Sequence, residues 1–132
     1  MEGYLMEGYL AGGMRSTWQD KVKNEFPEIQ WHDPREHGLS EPREYTAWDL
    51  DKVRRSAIVF AYFTKDNPSG FGMSAEIGYA RALNKLIILV DEQDIKYWAM
   101  VHEMCDYWTE YFEAACVWLR HWLDNITRGP QY

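Results

Sequence analysis

The chain has 132 residues, the usual size of one domain, and 46% of them are hydrophobic. This predicts a single folded domain over residues 1–132 with an ordered core. Its 14 basic and 21 acidic side chains give a formal net charge of −7, which argues against a protein that binds a nucleic acid polymer through a basic face. A small anionic ligand is still allowed, because the backbone amides at a helix N-terminus can bind one.

Neither a membrane span nor a disulfide framework is predicted. The longest apolar runs, residues 57–63 and 86–90, are far shorter than the roughly 20 residues that cross a bilayer. No basic segment followed by an apolar one opens the chain, so we expect no secretion signal and a cytoplasmic protein. Cys105 and Cys116 have no CxxC arrangement and are interpreted as reduced thiols.

The histidines do not indicate a metal site. His32, His37, His102 and His121 lack the spacing of zinc ligands and are interpreted as loop or surface residues. The GxxxxGK[ST] pattern of phosphate-binding loops is also absent from the sequence. We therefore expect neither a metal nor a cofactor.

The first ten residues are two copies of MEGYL, residues 1–5 and 6–10. An immediate duplication has no evident folding purpose, so the first copy is interpreted as an artefact of the start site or of cloning. The second copy leads into apolar residues that Gly12 and Gly13 close. This pattern predicts a buried strand that ends in a tight backbone turn.

Helical and strand-like patterns alternate along the rest of the chain. Residues 57–63 are continuously apolar, which is typical of a central strand buried on both faces. Residues 36–43 and 66–72 are rich in Gly, Pro and Ser and are predicted to be loops, with Ser74 as the N-cap of the helix that follows. In chain order we predict a helix over 14–26, a strand over 29–32, a helix carrying Tyr45, Trp48 and Val53, a strand over 57–63, a helix over 74–84, a strand over 86–90, a helix over 95–105, an edge strand near 107–111 and a helix over 112–123.

Strands that alternate with helices at this spacing predict right-handed βαβ units. We therefore expect an α/β fold in which a doubly wound, mostly parallel sheet of four to five strands is flanked by helices, as in flavodoxin-like and Rossmann-like proteins. Ligands bind such sheets beyond the carboxyl ends of the strands. The polar, Gly-rich segments 12–13, 33–43 and 64–72 follow predicted strands, so we expect them to line one crevice.

Glu76 and Asp49 are the strongest candidates for chemistry. Glu76 lies in the first turn of the predicted helix that starts at Ser74, directly after the Gly-rich loop and among small residues that leave room for a ligand. Two carboxylates in different environments can divide the nucleophile and acid roles between them. Two structural alternatives stay open: a glutamate that only favours the helix dipole, and an aspartate on a solvated helix face. Ser69 and Gly70 are candidates to present a hydroxyl and an N–H group to an anion.

These residues stand within a set of short motifs that follow one another in a recognisable order. The motifs are YLAG at 9–12, DPR at 33–35, WDL at 48–50, SG at 69–70, AEIGYA at 75–80 and KLIILV at 85–90. Over roughly residues 6–92 the chain resembles the nucleoside 2-deoxyribosyltransferase-like superfamily, which includes nucleoside 5′-monophosphate N-glycosidases.

The resemblance implies cleavage of an N-glycosidic bond by double displacement, as in retaining glycosidases. It assigns Glu76 to attack on the anomeric carbon, which forms a glycosyl-enzyme ester. It assigns Asp49 to contact the base and help to protonate it, because the base must gain a proton to depart. Tyr9, at the end of its strand, is expected to lie near the nucleophile.

The resemblance and the predicted crevice together give the expected substrate-binding residues. The transferases carry an acidic residue where this chain has Ser69, whereas the relatives that hydrolyse 5′-monophosphates have serine, which accepts a phosphate without charge repulsion. This favours a nucleotide, although Asp66 could supply the carboxylate of a nucleoside site. The predicted substrate-binding residues are Gly12, Asp33, Ser69, Gly70, Gly72 and Tyr132, the last because the C-terminal tail resembles that of the transferases.

Aromatic residues predict self-association. Four of the seven tryptophans, Trp98, Trp108, Trp118 and Trp122, lie in the last third of the chain. A small domain has limited interior to hide such rings, and aromatic residues are enriched at interfaces. Sites of the resembled family also borrow residues from a neighbouring subunit. We therefore expect a homo-oligomer, a dimer or an assembly of dimers, with packing of the rings on the chain's own sheet as the alternative.

Two classes of function follow. The first is an enzyme that cleaves or exchanges the base of a deoxynucleoside or of its 5′-monophosphate. The second is a non-catalytic nucleotide-sensing module that keeps the pocket without turnover. A glutamate at a helix start among small residues favours the enzyme, because binding alone needs no nucleophile.

Overall fold

Within the residues that it describes, the computed structural model has five strands that alternate with helices. The structure describes residues 3–66, 70–93 and 96–128. In chain order the elements are β1 (Met6–Gly12), α1 (Trp18–Glu25), β2 (Ile29–His32), a 3₁₀ turn (Pro34–Glu36), α2 (Pro42–Arg55), β3 (Ile58–Phe63), α3 (Phe71–Ala82), β4 (Leu86–Asp91), a second 3₁₀ turn (Lys96–Trp98), α4 (Ala99–Glu103), β5 (Tyr107–Thr109) and α5 (Phe112–Arg128).

The five strands form one parallel sheet in the order β2-β1-β3-β4-β5. The register places Tyr9 of β1 between His32 of β2 and Val59 of β3. The chain adds strands on one side of β1 and then on the other, so the order reverses between β1 and β3. Open α/β sheets bind their ligands at this reversal, beyond the carboxyl ends of the strands.

Each face of the sheet is covered by a hydrophobic layer, because alternate residues of a strand point to opposite faces. Phe60 packs in the layer that contains α1 and α5, whereas Val59 packs in the layer that contains α2, α3 and α4. All six residues of β3 are buried. These observations confirm the prediction of a doubly wound α/β fold, and the sheet has five strands, all of them parallel.

Helix α3 begins three residues earlier than predicted. It starts at Phe71 with Gly70 as its N-cap, and the Ser74 N–H donates to the Gly70 carbonyl over 2.8 Å. The prediction that Ser74 is the N-cap is therefore wrong. Glycine disfavours helices in isolation, but burial of Met73 against the core stabilises the extra turn. As a consequence, Glu76 lies on the second turn of the helix and not on the first.

Other helix limits also differ from the pattern. Helix α1 begins at Trp18, because the preceding residues turn around the Gly13 carbonyl, which accepts from the side chains of Ser16, Trp18 and Gln19. The helix predicted over 95–105 is the shorter α4, Ala99–Glu103. The helix predicted over 112–123 continues to Arg128 as α5.

His32 lies on a strand and His102 on a helix, and neither is exposed, so the interpretation as loop or surface residues is wrong for these two, whereas His37 does lie in a loop. His32 lies 2.7 Å from a Glu7 oxygen, and His102 lies 2.6 Å from a carboxylate oxygen of Asp91. The side chain of His37 is only 5% exposed. The partners of His32 and His102 stand 25 and 11 residues away in the chain, which local sequence patterns do not register.

Both cysteines are free thiols, and burial raises the pKa of Cys105 and Cys116 to about 12. They are thus protonated and unreactive at neutral pH. Within the described ranges, no three His, Cys, Asp or Glu side chains converge on a point that could hold a metal ion. No helix in this part of the chain is long and apolar enough to cross a membrane.

Candidate active site

A cleft of about 210 Å³ opens at the carboxyl edge of the sheet, where the strand order reverses. It is bounded by the end of β1 and by residues of α2 and α3. The residues that line it are Tyr9, Gly12, Gly13, Met14, Pro34, Asp49, Gly70, Gly72, Met73 and Glu76. Six of the nine residues predicted from the sequence therefore share one cleft.

A tyrosine and a glutamate meet in this cleft. The Tyr9 hydroxyl donates a hydrogen bond of 2.6 Å to Oε2 of Glu76. Tyr9 is fully buried, and burial together with the negative charge of Glu76 raises the pKa of Tyr9. The hydroxyl therefore keeps its proton and acts as a donor throughout the physiological pH range.

Glu76 is an unusually weak acid. Burial raises its pKa to about 8; the hydrogen bond from Tyr9 opposes this shift, and the negative charge of Asp49 adds to it. A carboxyl group taken out of water favours its neutral form. Glu76 is thus mostly protonated at neutral pH and ionises near pH 8, a property that structural surface glutamates lack.

Asp49 is the second carboxyl group of the pair. It projects from α2, and burial raises its pKa above the usual value, opposed by its interactions with Glu76, His37 and Tyr9. Two carboxyl groups this close cannot both ionise easily, so they share one proton over a wide pH range. Such a pair can hold a nucleophile and an acid at the same time.

Two glycines allow the backbone to approach the cleft closely. Gly12 and Gly70 both have a φ of +154°, which L side chains rarely adopt. A Cβ on Gly12 would lie 2.5 Å from the Tyr62 carbonyl oxygen, and one on Gly70 would lie 2.5 Å from the Phe63 ring. Any side chain at either position would therefore force the floor of the cleft to move.

The N-terminus of α3 forms one wall of the cleft. Gly70 caps this helix and has no side chain, so the N–H groups of its first turn are left to other partners. The first turn carries no acidic residue. Since the helix dipole places partial positive charge here, this wall favours an anionic group of a ligand.

Asp33, predicted to bind substrate, lies behind the cleft and is not one of its lining residues. Its buried carboxylate accepts from Arg35 at 2.7 Å and from Lys23 at 2.9 Å, and these contacts hold its pKa below the usual value despite burial. Arg35 also donates to the Ser16 carbonyl. Asp33 thus anchors the segment that brings Pro34 to the cleft wall, and a direct contact with substrate stays a prediction.

The remaining predicted residues, Ser69 and Tyr132, lie outside the described residues. Sequence reasoning missed Met73, which lines the cleft, and it predicted the segment 33–43 at the crevice without singling out Pro34, which lines the cleft, or His37, which lies beside Asp49. Met73 carried a usable signal, because it precedes Glu76 by three positions and so shares its helix face.

Volume alone does not identify the site. A groove of about 900 Å³ lies between α1 and α5, on the opposite layer of the protein. One of its charged residues, Arg120, forms an ion pair with Glu28. The cleft around Glu76 is smaller, but within the described residues it combines a carboxyl pair of raised pKa with a helix N-terminus, and this combination marks a functional site.

The raised pKa of Glu76 predicts a stability cost at neutral pH. Because the folded protein holds this proton more tightly than the unfolded chain does, the free energy of unfolding falls as pH rises from about 4.5 to about 8. Glu76→Gln removes the ionisable group and keeps a hydrogen-bond acceptor for Tyr9. We expect it to raise the free energy of unfolding at pH 7 by roughly 1 to 3 kcal/mol.

Urea unfolding of both proteins between pH 4 and 8 checks this, and the gain should disappear near pH 4. Glu44→Gln, at an exposed position of α2, is the matched control and should show no such pH-dependent gain. A Glu76→Gln variant whose stability follows the wild-type pH curve would contradict the raised pKa.

Comparison of the sequence alone finds no relative, since neither a protein-family model nor a curated protein matches the chain. Solved structures do match. A 2-deoxyribosyltransferase of the psychrotolerant bacterium Bacillus psychrosaccharolyticus superposes with a TM-score of 0.62 at 21% identity, over 77% of this chain and 84% of that one. A 2-deoxyribosyltransferase from Leishmania mexicana gives a TM-score of 0.65 at 17% identity, over 85% of this chain and 95% of that one.

The CMP N-glycosidase of Clostridium botulinum gives a TM-score of 0.51 at 17% identity, over 78% of this chain and 86% of that one. These structures belong to the group of enzymes that the sequence motifs resemble. The chain therefore has the α/β fold shared by 2-deoxyribosyltransferases and a CMP N-glycosidase.

Proposed function

We propose that this chain is an enzyme that cleaves the N-glycosidic bond of a (deoxy)nucleoside or of its 5′-monophosphate, by base exchange or by hydrolysis. The observation that carries the proposal is the carboxyl pair of Glu76 and Asp49, held with the Tyr9 hydroxyl in one cleft at the strand-order reversal. The fold shared with glycosyl-transferring enzymes supports it.

The proposed reaction has two displacements. The Glu76 carboxylate attacks the anomeric carbon, the carbon–nitrogen bond breaks, and its electron pair leaves with the base, which takes a proton from Asp49. Water or a second base then attacks the same carbon, the ester bond to Glu76 breaks, and Asp49 recovers a proton from the incoming group. After the first displacement Asp49 is an anion that can take a proton from the incoming group. After the second, Glu76 is again a carboxylate and Asp49 is again protonated.

Tyr9 selects the attacking oxygen in this scheme. Its hydroxyl engages Oε2 of Glu76, so Oε1 is the oxygen directed to the substrate. The hydrogen bond also favours the ionised form of Glu76, so it assists transfer of the shared proton of the pair to Asp49 when Glu76 attacks. Tyr9 thereby sets up the nucleophile and the acid together.

The N-terminal wall of α3 supports a 5′-monophosphate as the preferred substrate. The helix dipole and the first N–H groups of α3, which have no partner within the helix, attract an anion, and Glu76 lies one to two turns further along the same helix. This spacing would place the phosphate at Gly70 and Gly72 and the anomeric carbon at Glu76.

A panel of deoxynucleosides and deoxynucleoside 5′-monophosphates tests this function, with free base measured by chromatography. We expect base release, with a lower KM for the monophosphates than for the matching nucleosides. Glu76→Ala should abolish release, because the nucleophile is lost, and thermal unfolding of this variant shows whether it still folds.

Retention of more than about a tenth of the wild-type kcat by Glu76→Ala, a barrier change of only about 1.4 kcal/mol, would contradict the nucleophile assignment. Nucleotide binding without any base release by the wild type would instead indicate a non-catalytic sensing module. Equal or tighter binding of bare nucleosides would exclude the phosphate subsite.

Asp49→Asn is expected to slow base release from a purine substrate about 100-fold, since Asn cannot donate the proton that the leaving base needs. An N7-methylated purine already carries positive charge and departs as a neutral base, so its release should slow less than about 5-fold. Comparison of kcat for the two substrates measures the effect.

Asp51→Asn is the matched control, because Asp51 lies on the same helix but is exposed and paired with Arg54. Equal slowing of both substrates by Asp49→Asn would assign Asp49 to positioning rather than to acid catalysis. The pH profile of wild-type kcat/KM should be bell-shaped, with activity falling above about pH 8 as the pair loses its second proton.

We also propose that the active form is a homo-oligomer. The tryptophans divide between two roles: Trp98 stacks on Phe63 inside the chain, whereas Trp108 is 39% exposed. Tyr111, Val117 and Ile126 are also exposed in the last third of the chain. The described cleft is smaller than the roughly 300 to 1,000 Å³ of most ligand sites, which favours completion of the site by further residues.

Light scattering at micromolar concentration checks the oligomer. We expect a mass of at least twice the 15.7 kDa of one chain, because exposed apolar rings lose contact with water in an interface. A monomer that retains full activity would contradict the proposal.

A further inference from the structure

His37 lies next to the carboxyl pair, on the segment between the first 3₁₀ turn and α2. Its side chain is only 5% exposed, and its ring packs edge-on against Trp48 with 4.9 Å between the ring centroids. Trp48 immediately precedes Asp49 on α2. The ring is therefore held in a fixed place beside Asp49.

The hydrogen bonds of His37 determine which ring nitrogen carries the proton. The Leu39 N–H donates to Nδ1 of His37 over 2.8 Å, so Nδ1 is an acceptor without a hydrogen. A neutral imidazole has one protonated nitrogen, which here must be Nε2. Nε2 is the atom that faces Asp49, at 3.8 Å from Oδ1.

The facing oxygen of Asp49 needs a donor. Within the described residues, Oδ1 of Asp49 is buried and has no hydrogen-bond partner. A buried acceptor without a partner is costly, and more so when the group is ionised. A separation of 3.8 Å is too long for a hydrogen bond, and a shift of about 1 Å would close it.

The groups that face Asp49 come from three elements: Tyr9 from β1, Glu76 from α3 and His37 from the segment before α2. Tyr9 already donates to Glu76, and Glu76 competes with Asp49 for the shared proton. His37 is the member of this set whose N–H is directed at Oδ1 of Asp49 without another acceptor assigned to it among the described contacts.

We propose that His37 is a positioning residue for Asp49, whose Nε2–H closes onto Oδ1 as Asp49 gives its proton to the leaving base and becomes an anion. This rests on the proposed acid role of Asp49. The hydrogen bond forms where charge develops, so it stabilises the transition state more than the ground state. His37 itself gains and loses no proton in this step.

Kinetics of two variants test the role. His37→Ala should lower kcat for an unmethylated purine substrate about 10-fold, and should change kcat for the N7-methylated counterpart less than about 2-fold. His37→Gln, which keeps an N–H donor near the place of Nε2, should restore most of the activity. His121→Ala, an exposed histidine on α5, is the matched control and should match the wild type on both substrates.

The effect should also disappear when Asp49 is already asparagine. In the Asp49→Asn background, His37→Ala is expected to cause no further loss of kcat, because both changes act on the same proton transfer. Equal loss on both substrates, or a full 10-fold further loss in the double variant, would show a structural role and overturn the proposal.

A readout without turnover separates this proposal from the proposed function. Carbon-13 NMR of the Asp49 carboxyl group follows its titration, and His37→Ala should move the pKa of Asp49 further upward, because a stabilising partner of the anion is lost. An unchanged Asp49 titration would overturn the contact even in an active enzyme. If the wild type releases no base and the titration still moves, the contact stands and the enzymatic function fails.

Discussion

The structure of the site depends on one constraint: two half-buried carboxyl groups lie together at the edge of a parallel sheet. Burial raises the pKa of both Glu76 and Asp49, the negative charge of Asp49 raises that of Glu76 further, and the hydroxyl of Tyr9 donates a hydrogen bond that stabilises Glu76. A site that holds a nucleophile and an acid in one cleft needs two carboxyl groups in different environments, and here only Glu76 accepts the hydrogen bond from Tyr9. The surrounding architecture serves to keep the three groups in place.

The sheet supplies the rigidity. Tyr9 lies on β1 between β2 and β3, where parallel neighbours fix the backbone on both sides. Gly12 and Gly70 let the strand end and the helix start approach without side chains between them. The ion pairs of Asp33 with Lys23 and Arg35 hold the neighbouring loop. Strand pairing, the two glycines and the ion pairs of Asp33 thus set the positions of the residues that line the cleft.

Much of this architecture follows from local pattern. The continuously apolar residues of β3 require a strand covered on both faces, and the alternation with helices requires parallel crossovers. These rules predict that the polar segments after the strands share one edge of the sheet, whereas the expected proximity of Tyr9 and Asp49 to Glu76 came from the resemblance of the motifs. The helix start at Phe71 was missed, because local propensity penalises glycine whereas burial of the helix face rewards the extra turn.

The sequence by itself determined the fold class and the edge of the sheet where the polar, Gly-rich segments lie, since both depend on hydrophobic periodicity and spacing. Only the tertiary structure decided what the carboxyl groups of Glu76 and Asp49 experience. The hydrogen bond from Tyr9 to Glu76 joins residues 67 positions apart, and the approach of His37 to Asp49 depends on a turn around Leu39. Desolvation and contact between distant residues have no local signature, because they arise only when the chain has packed.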